Sequence, residues 1–185
     1  MIESISIVIP SYNESANIGE VYKRTTEVIK KLNIKKYELI FVENGSKDNS
    51  LELLKKINSE NQSVKIISLS RNFGYQSAIA VGLKYSQNEY VCVMDGDLQD
   101  PPEIIIDFVK KITEGYDVVY GIRIKRKDNF IKIFSSKIAN NVRKIILKDD
   151  CSDTGCGLKV FDKNIFLSFP FFTGLHRFLP ALFKA

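Results

Sequence analysis

The chain has 185 residues, 44% hydrophobic and 26% charged, a balance that excludes a disordered polypeptide and suits one domain burying about 70% of its unfolded surface. Lysine and arginine number 27 against 22 acidic residues, a net charge of +5, which fits an anionic partner without choosing among nucleotide, phospholipid and nucleic acid. No apolar run approaches the roughly 18 residues of a membrane-spanning helix, since Pro170, His176, Arg177 and Pro180 interrupt the apolar stretch from Ile165 to Phe183.

Three cysteines, Cys92, Cys151 and Cys156, form no even disulfide framework. The C-x4-C pair, without a second pair or a nearby histidine, is a poor zinc site. Met1-Ile-Glu-Ser leads straight into a strand, with nothing resembling an export signal. A reducing, cytoplasmic setting is expected.

In chain order, Ile5-Ser-Ile-Val-Ile9 is β-branched and apolar and predicts a central strand that Pro10 ends. Asn13 or Ser15 is placed to cap a helix running to about Leu32, with Ile18, Val21, Tyr22, Val28 and Ile29 as its buried stripe. Tyr37 to Val42 predicts a second strand, Glu43 to Ser50 a turn, and Leu51, Leu54 and Ile57 the inward face of a second helix. Val64 to Leu69 predicts a third strand and Ser70 to Gln76 a loop. Ser77 to Tyr85 reads as a helix whose Ala78, Ala80 and Gly82 allow close packing on a sheet. A fourth strand is expected over Glu89 to Met94, a helix over Pro102 to Ile112, and a fifth strand over Asp117 to Tyr120. Asp128 to Lys148 is basic and amphipathic: either a solvated helix or a surface for an anionic bilayer. Gly155 to Phe161 predicts a last strand.

Strands alternating with helices imply a mostly parallel sheet covered on both faces, and ligands of such sheets bind outside the carboxyl ends of the strands. Four polar clusters should meet there: Pro10-Tyr12-Glu14, Glu43-Asn44-Gly45, Arg71-Asn72 and Asp95-Asp97. The last opens Asp95-Gly-Asp-Leu-Gln-Asp-Pro-Pro-Glu103. Carboxylates bunched at the end of a buried strand repel one another unless a cation sits among them. Asp95, Asp97 and Gln99 offer oxygen donors, which suit Mg²⁺ or Mn²⁺ rather than zinc. The competing reading is a solvated acidic turn ahead of a proline-started helix.

Several look-alikes fail. The first strand ends in Pro-Ser-Tyr-Asn-Glu, not in the G-x-G-x-x-G of a dinucleotide-binding turn, and no G-x-x-x-x-G-K-[ST] occurs. An EF-hand loop from Asp95 would need Gly and Glu where Asp100 and Ile106 stand. A phosphatase with an aspartyl nucleophile is the runner-up, weakened by the lack of a partner lysine. The lone histidine, His176, reads as a packing residue rather than a catalyst.

Ile7-Val-Ile-Pro-Ser-Tyr-Asn-Glu14, Phe41-Val-Glu-Asn-Gly-Ser-Lys-Asp-Asn-Ser50, Asn72-Phe-Gly74 and Met94-Asp-Gly-Asp-Leu-Gln-Asp-Pro-Pro-Glu103 together resemble the family 2 glycosyltransferases. Tyr120-Gly-Ile-Arg123 and Asp153-Thr-Gly-Cys-Gly-Leu-Lys-Val-Phe161 resemble the polyprenyl-phosphate branch, similar to dolichol-phosphate mannose synthase. The resemblance covers essentially the whole chain. It implies a three-layer α/β/α, Rossmann-like GT-A fold in one catalytic domain, residues 1–185, without the membrane part typical of relatives.

The resemblance also implies roles. Pro10, Tyr12, Glu14, Val42, Asn44, Asp95, Gly96, Asp97 and Arg123 would bind the nucleotide-sugar, and Asp95, Asp97 and Gln99 the Mg²⁺ or Mn²⁺. Asp97, Arg123 and Asp153 would be catalytic, and Lys132 and Ser136 would meet the acceptor phosphate. The expected reaction is inverting transfer of a sugar from UDP or GDP to a polyprenyl phosphate. It would occur at the cytoplasmic face of a membrane, with no nucleic-acid partner and with homo-oligomers left open. Another cell-envelope glycan as acceptor, or an inactive nucleotide-binding relative, is the alternative. One departure stands out: the family's usual pair of aspartates after the second strand is here Glu43-Asn44, which leaves base preference open because asparagine both donates and accepts.

Overall fold

The computed structural model describes residues 2–122, 156–169 and 182. Strands β1 (Ser4–Ser11), β2 (Lys36–Glu43), β3 (Val64–Ser68), β4 (Tyr90–Val93), β5 (Val118–Tyr120) and β6 (Lys159–Asp162) form one sheet. Its order is β3-β2-β1-β4-β6-β5. β1 to β4 run parallel, whereas β6 is antiparallel to both β4 and β5. Helices α1 (Ile18–Leu32), α2 (Ser50–Glu60), α3 (Tyr75–Tyr85), α4 (Ile105–Thr113, after a 3-10 turn over Pro102–Ile104) and α5 (Lys163–Ser168) cover it.

The central strands are apolar at nearly every position because helices bury both faces. Ile5, Ile7, Ile9, Leu39, Phe41, Cys92 and Met94 face α1, α2 and α4 in one core. The alternate residues Val8, Ile40, Val42, Val91 and Val93 face Ala78, Ile79 and Leu83 of α3 and Phe166 of α5 in the other. The three-layer α/β/α expectation therefore holds. Gly82 makes the α3 layer close: a Cβ there would land on Val8 Cγ1 and lie 3.1 Å from Val42 Cγ2.

The chain leaves β1 on one side to build β2 and β3 and returns on the other to build β4. Such a reversal parts the loops above the strand ends and opens a crevice between them. At the opposite ends lies a buried polar knot. Ser6 Oγ and the Gln87 amide each donate to Glu38 Oε1 at 2.6 Å, and Lys65 Nζ approaches Glu38 Oε2 at 2.5 Å. Burial works against the Glu38 charge, but these bonds outweigh it and hold the carboxyl below its usual range.

Three boundaries differ from expectation. α1 starts at Ile18, because Asn13 takes a left-handed φ of 55° and serves a neighbouring loop instead of capping. α3 begins at Tyr75, two residues early, off Gly74 with φ +87°. Within the stretch from Gly155, pairing begins only at Lys159. The basic stretch Asp128 to Lys148, His176 and Arg177 lie outside the described residues. No helix among the described residues is long and apolar enough to cross a membrane.

Candidate functional site

The loops after β1 and β2 are stitched together before either can hold a ligand. Backbone amides of Asn13, Glu14 and Ser15 donate to Ser46 Oγ, Ser50 Oγ and Asp48 Oδ2, each at 3.0 Å. The Lys47 amide returns a bond to Asn13 Oδ1 at 2.8 Å. The Ser50 hydroxyl, aided by the Ser15 and Ser50 amides, holds the exposed Asp48 carboxyl well below the usual carboxylate range. Glu43, buried at the end of β2, accepts from the Ser46 amide and from Ser68 Oγ, which ties β2 to β3.

Asn44 extends this fastening to the loop before α3. Its Nδ2 donates to Asn72 Oδ1 and to the Gly74 carbonyl, both at 3.2 Å, and its Oδ1 accepts from the Phe73 amide at 3.0 Å. Aspartate could not make the two donations. The asparagine in the family's acidic position thus has a structural reason. Gly45 (φ +72°) must be glycine here, since a Cβ would run into the backbone of Arg71.

Between these loops and the one after β4 lies a cleft of about 360 Å³, within the range of small-ligand sites. Pro10, Ser11, Tyr12 and Glu14 form one wall, Asn44, Asn72, Gly74 and Tyr75 a second, and Asp95, Gly96 and Asp97 the third. Glu14 is steadied by Asn17 Nδ2, which donates to Oε2 at 2.6 Å. Gly96 lets the β4 loop pack on the end of β1, where a Cβ would lie 3.3 Å from the Pro10 carbonyl oxygen.

The acidic loop turns through Leu98, whose φ of 59° is strained for a leucine. That turn brings the Gln99 amide 3.0 Å from Asp97 Oδ1. Burial pushes the Asp95 carboxyl up; the Tyr75 hydroxyl opposes this, the charges of Asp97 and Asp100 add to it, and the buried Lys159 pulls it back. Asp100 turns away, its Oδ2 accepting from the Cys156 thiol at 3.4 Å.

Among the described residues, no group of three or more His, Cys, Asp and Glu side chains could hold a metal ion by itself. A pair of carboxylates with no sulfur or imidazole does fit a hard cation, which is commonly held by one or two carboxylates plus substrate phosphates. Asp95 and Asp97 fit that description.

Of the expected site residues, Pro10, Tyr12, Glu14, Asn44, Asp95, Gly96 and Asp97 converge on the cleft. Val42 does not: strand alternation turns it into the α3 core, fully buried, and only Asn44 on the same side reaches beyond the strand end. Gln99 is exposed and does not line the cleft; its backbone amide donates to Asp97 Oδ1. Arg123, Lys132, Ser136 and Asp153 lie outside the described residues. Ser11, Gly74 and Tyr75 line the cleft without having been expected there, and Lys159 and Gly157 adjoin Asp95. Ser11, Gly74 and Gly157 stand inside the quoted motifs, and a lysine inside the apolar run Leu158 to Phe161 marks Lys159, whereas Tyr75 carries no signal in the sequence.

The family model for glycosyl transferase family 2 matches residues 6–171. An uncharacterized glycosyltransferase of Bacillus subtilis (strain 168), YkcC, is 49% identical over 128 residues, covering 69% of this chain and 39% of its own length. An uncharacterized glycosyltransferase of Synechocystis is 44% identical over 135 residues, 72% of this chain and 42% of its own. The chain therefore spans about two-fifths of the length of these curated relatives.

Among solved structures, mannosyl-3-phosphoglycerate synthase from Rubrobacter xylanophilus has a TM-score of 0.73 at 16% identity, covering 92% of this chain and 56% of that one. A mannosyltransferase from Pyrobaculum calidifontis, in complex with GDP-Man and Mn²⁺, has a TM-score of 0.61 at 17% identity, covering 91% and 48%. Glucosyl-3-phosphoglycerate synthase from Mycobacterium tuberculosis, in complex with Mn²⁺, UDP and phosphoglyceric acid, has a TM-score of 0.68 at 20% identity, covering 91% and 59%. At such identities the likeness establishes the GT-A fold.

Proposed function

The chain belongs to glycosyl transferase family 2, and from that footing we propose that it carries the donor-binding part of a metal-dependent, inverting sugar transferase. The donor is a UDP- or GDP-linked sugar, and the acceptor a polyprenyl phosphate at the cytoplasmic face of a membrane. The observation that carries the donor half is the meeting of Tyr12 and Glu14 with Asp95 and Asp97 in one cleft beside the switch between β1 and β4. The fold-mates complexed with GDP-Man or UDP and Mn²⁺ support the same reading.

In this proposal the exposed Tyr12 ring covers the base. Glu14, with Oε2 engaged by Asn17, keeps Oε1 for a ribose hydroxyl. Asp95 and Asp97 would hold the divalent ion, which when bound offsets charge developing on the leaving nucleoside diphosphate. A phosphate acceptor is already ionised near neutral pH, its second pKa being about 6, so attack at the anomeric carbon needs no strong base. Arg123 and Asp153 are assigned to the phosphates and the sugar, and Lys132 and Ser136 to the acceptor phosphate, by their places in the family motifs. The polyprenyl acceptor rests on the motifs around Tyr120 and Asp153.

Calorimetric titration of UDP- and GDP-sugars with and without Mg²⁺ or Mn²⁺ tests the donor half. The metal should strengthen binding of one nucleotide class, and Asp97→Ala should abolish that increment; unchanged affinity in the variant would sink the site assignment. For the acceptor half, a product of retained anomeric configuration, or vesicle co-sedimentation indifferent to anionic lipid, would count against the mechanism and the membrane setting respectively.

A further inference from the structure

Asp95 is held from two sides by elements distant in sequence. From α3, the Tyr75 hydroxyl donates to Asp95 Oδ1 at 2.5 Å. From the segment leading into β6, the backbone at Gly157 comes so near that an added Cβ would lie 2.5 Å from Asp95 Cγ and 2.6 Å from Oδ1, with Oδ2 closer still. The Gly157 backbone therefore packs directly against the Asp95 carboxylate, on a side where no side chain could fit.

This arrangement matters because the terminal torsion of an aspartate is broad and nearly two-fold. Left alone, the carboxylate would sample orientations that no ligand could rely on. Gly157 limits tilting, and Tyr75 selects which oxygen turns inward. Tyr75 lines the cleft and is itself 39% exposed. Deleting only the hydroxyl leaves the ring and the helix start intact.

We propose that Tyr75 is a positioning residue for the divalent cation: its hydroxyl holds Asp95 Oδ1 while the bare backbone at Gly157 makes room for the carboxylate, so that Asp95 would be fixed in one orientation for the ion. The inference rests on the nucleotide-sugar reading of the cleft. It assigns Tyr75 and Gly157 to ion binding rather than to recognition of the nucleotide. Partners that orient a ligating group in this way change metal affinity by about 10- to 100-fold when removed.

The test titrates Mn²⁺ into the whole chain by electron paramagnetic resonance, with UDP or GDP present. Tyr75→Phe should raise the Mn²⁺ dissociation constant about tenfold or more and alter the signal of the bound ion. Its metal-free nucleotide affinity and melting temperature should match the wild type. Gly157→Ala should lose the bound-ion signal while retaining metal-free nucleotide binding. An unchanged Mn²⁺ affinity and signal in Tyr75→Phe overturns the inference. So does a variant that loses stability and nucleotide binding in step, which marks a structural role. Wild-type protein that binds Mn²⁺ with neither nucleotide overturns the donor-site reading as well, whereas a responsive wild type beside an indifferent Tyr75→Phe overturns this inference alone.

Discussion

Replacing Asn44 with aspartate is nearly isosteric and restores the residue type usual at this place, yet it should destabilise the protein. The Asn44 amide nitrogen makes two donations at 3.2 Å, to Asn72 Oδ1 and to the Gly74 carbonyl, and the residue is 4% exposed. Two neutral hydrogen bonds at about 1 kcal/mol each give a loss of about 2 kcal/mol. A carboxylate oxygen then faces two acceptor oxygens with little water, which adds roughly 1–2 kcal/mol. The expected deficit at pH 8 is about 3–4 kcal/mol.

The sign of its pH dependence follows from burial. An aspartate there has its folded pKa raised above the unfolded value, so the variant regains stability as pH falls and loses it as pH rises through the folded pKa. Once protonated, the introduced carboxyl can also restore one donation. Urea unfolding followed by circular dichroism at pH 8 and pH 4 measures both effects. A variant within about 0.5 kcal/mol of wild type at pH 8, or a deficit that grows towards pH 4, would refute the assignment of Asn44 as the fastener of the Asn72–Gly74 loop.

Glu38→Ala should cost about 2–4 kcal/mol, because the Ser6 hydroxyl and Gln87 amide lose a buried acceptor and the partly exposed Lys65 loses its buried partner. The Glu38 carboxyl is held low, so its contribution is present above the ordinary glutamate pKa and vanishes as pH falls through the folded value. The gap to wild type in urea unfolding should therefore narrow towards pH 3, and a gap constant with pH contradicts the pairing. Gly82→Ala gains up to about 1 kcal/mol of helix propensity but drives a methyl into Val8 and Val42, at a cost of about 1–3 kcal/mol. A net lowering of the melting temperature is expected, and a rise would show that α3 can move off the sheet.

How much of the site could be read beforehand depended on how local each cause was. Pro10, Tyr12, Glu14, Asp95 and Asp97 sit in motifs that directly follow apolar β-branched runs, so strand periodicity alone carried them to the rim. Val42 was misplaced because a strand's last apolar position and the polar residue beyond it look equally near the rim until the α3 layer is known. Gln99 falls outside the cleft lining, just past the left-handed turn at Leu98, and nothing in Asp97-Leu-Gln-Asp100 announces that turn.

The amino-acid order by itself determined the alternation of strands and helices, the two-faced burial of the sheet and the identity of the acidic loop, since each follows from hydrophobic spacing over neighbouring residues. Only the tertiary structure decided that β6 runs antiparallel beside β4, and so brings Gly157 under Asp95 and Lys159 into its field. Likewise, only the docking of α3 on β1 and β2 carries Tyr75 to the same carboxylate. These contacts join residues 20 to 64 positions apart, and sheet order and helix docking, which depend on packing across the whole core, are what bring such residues together.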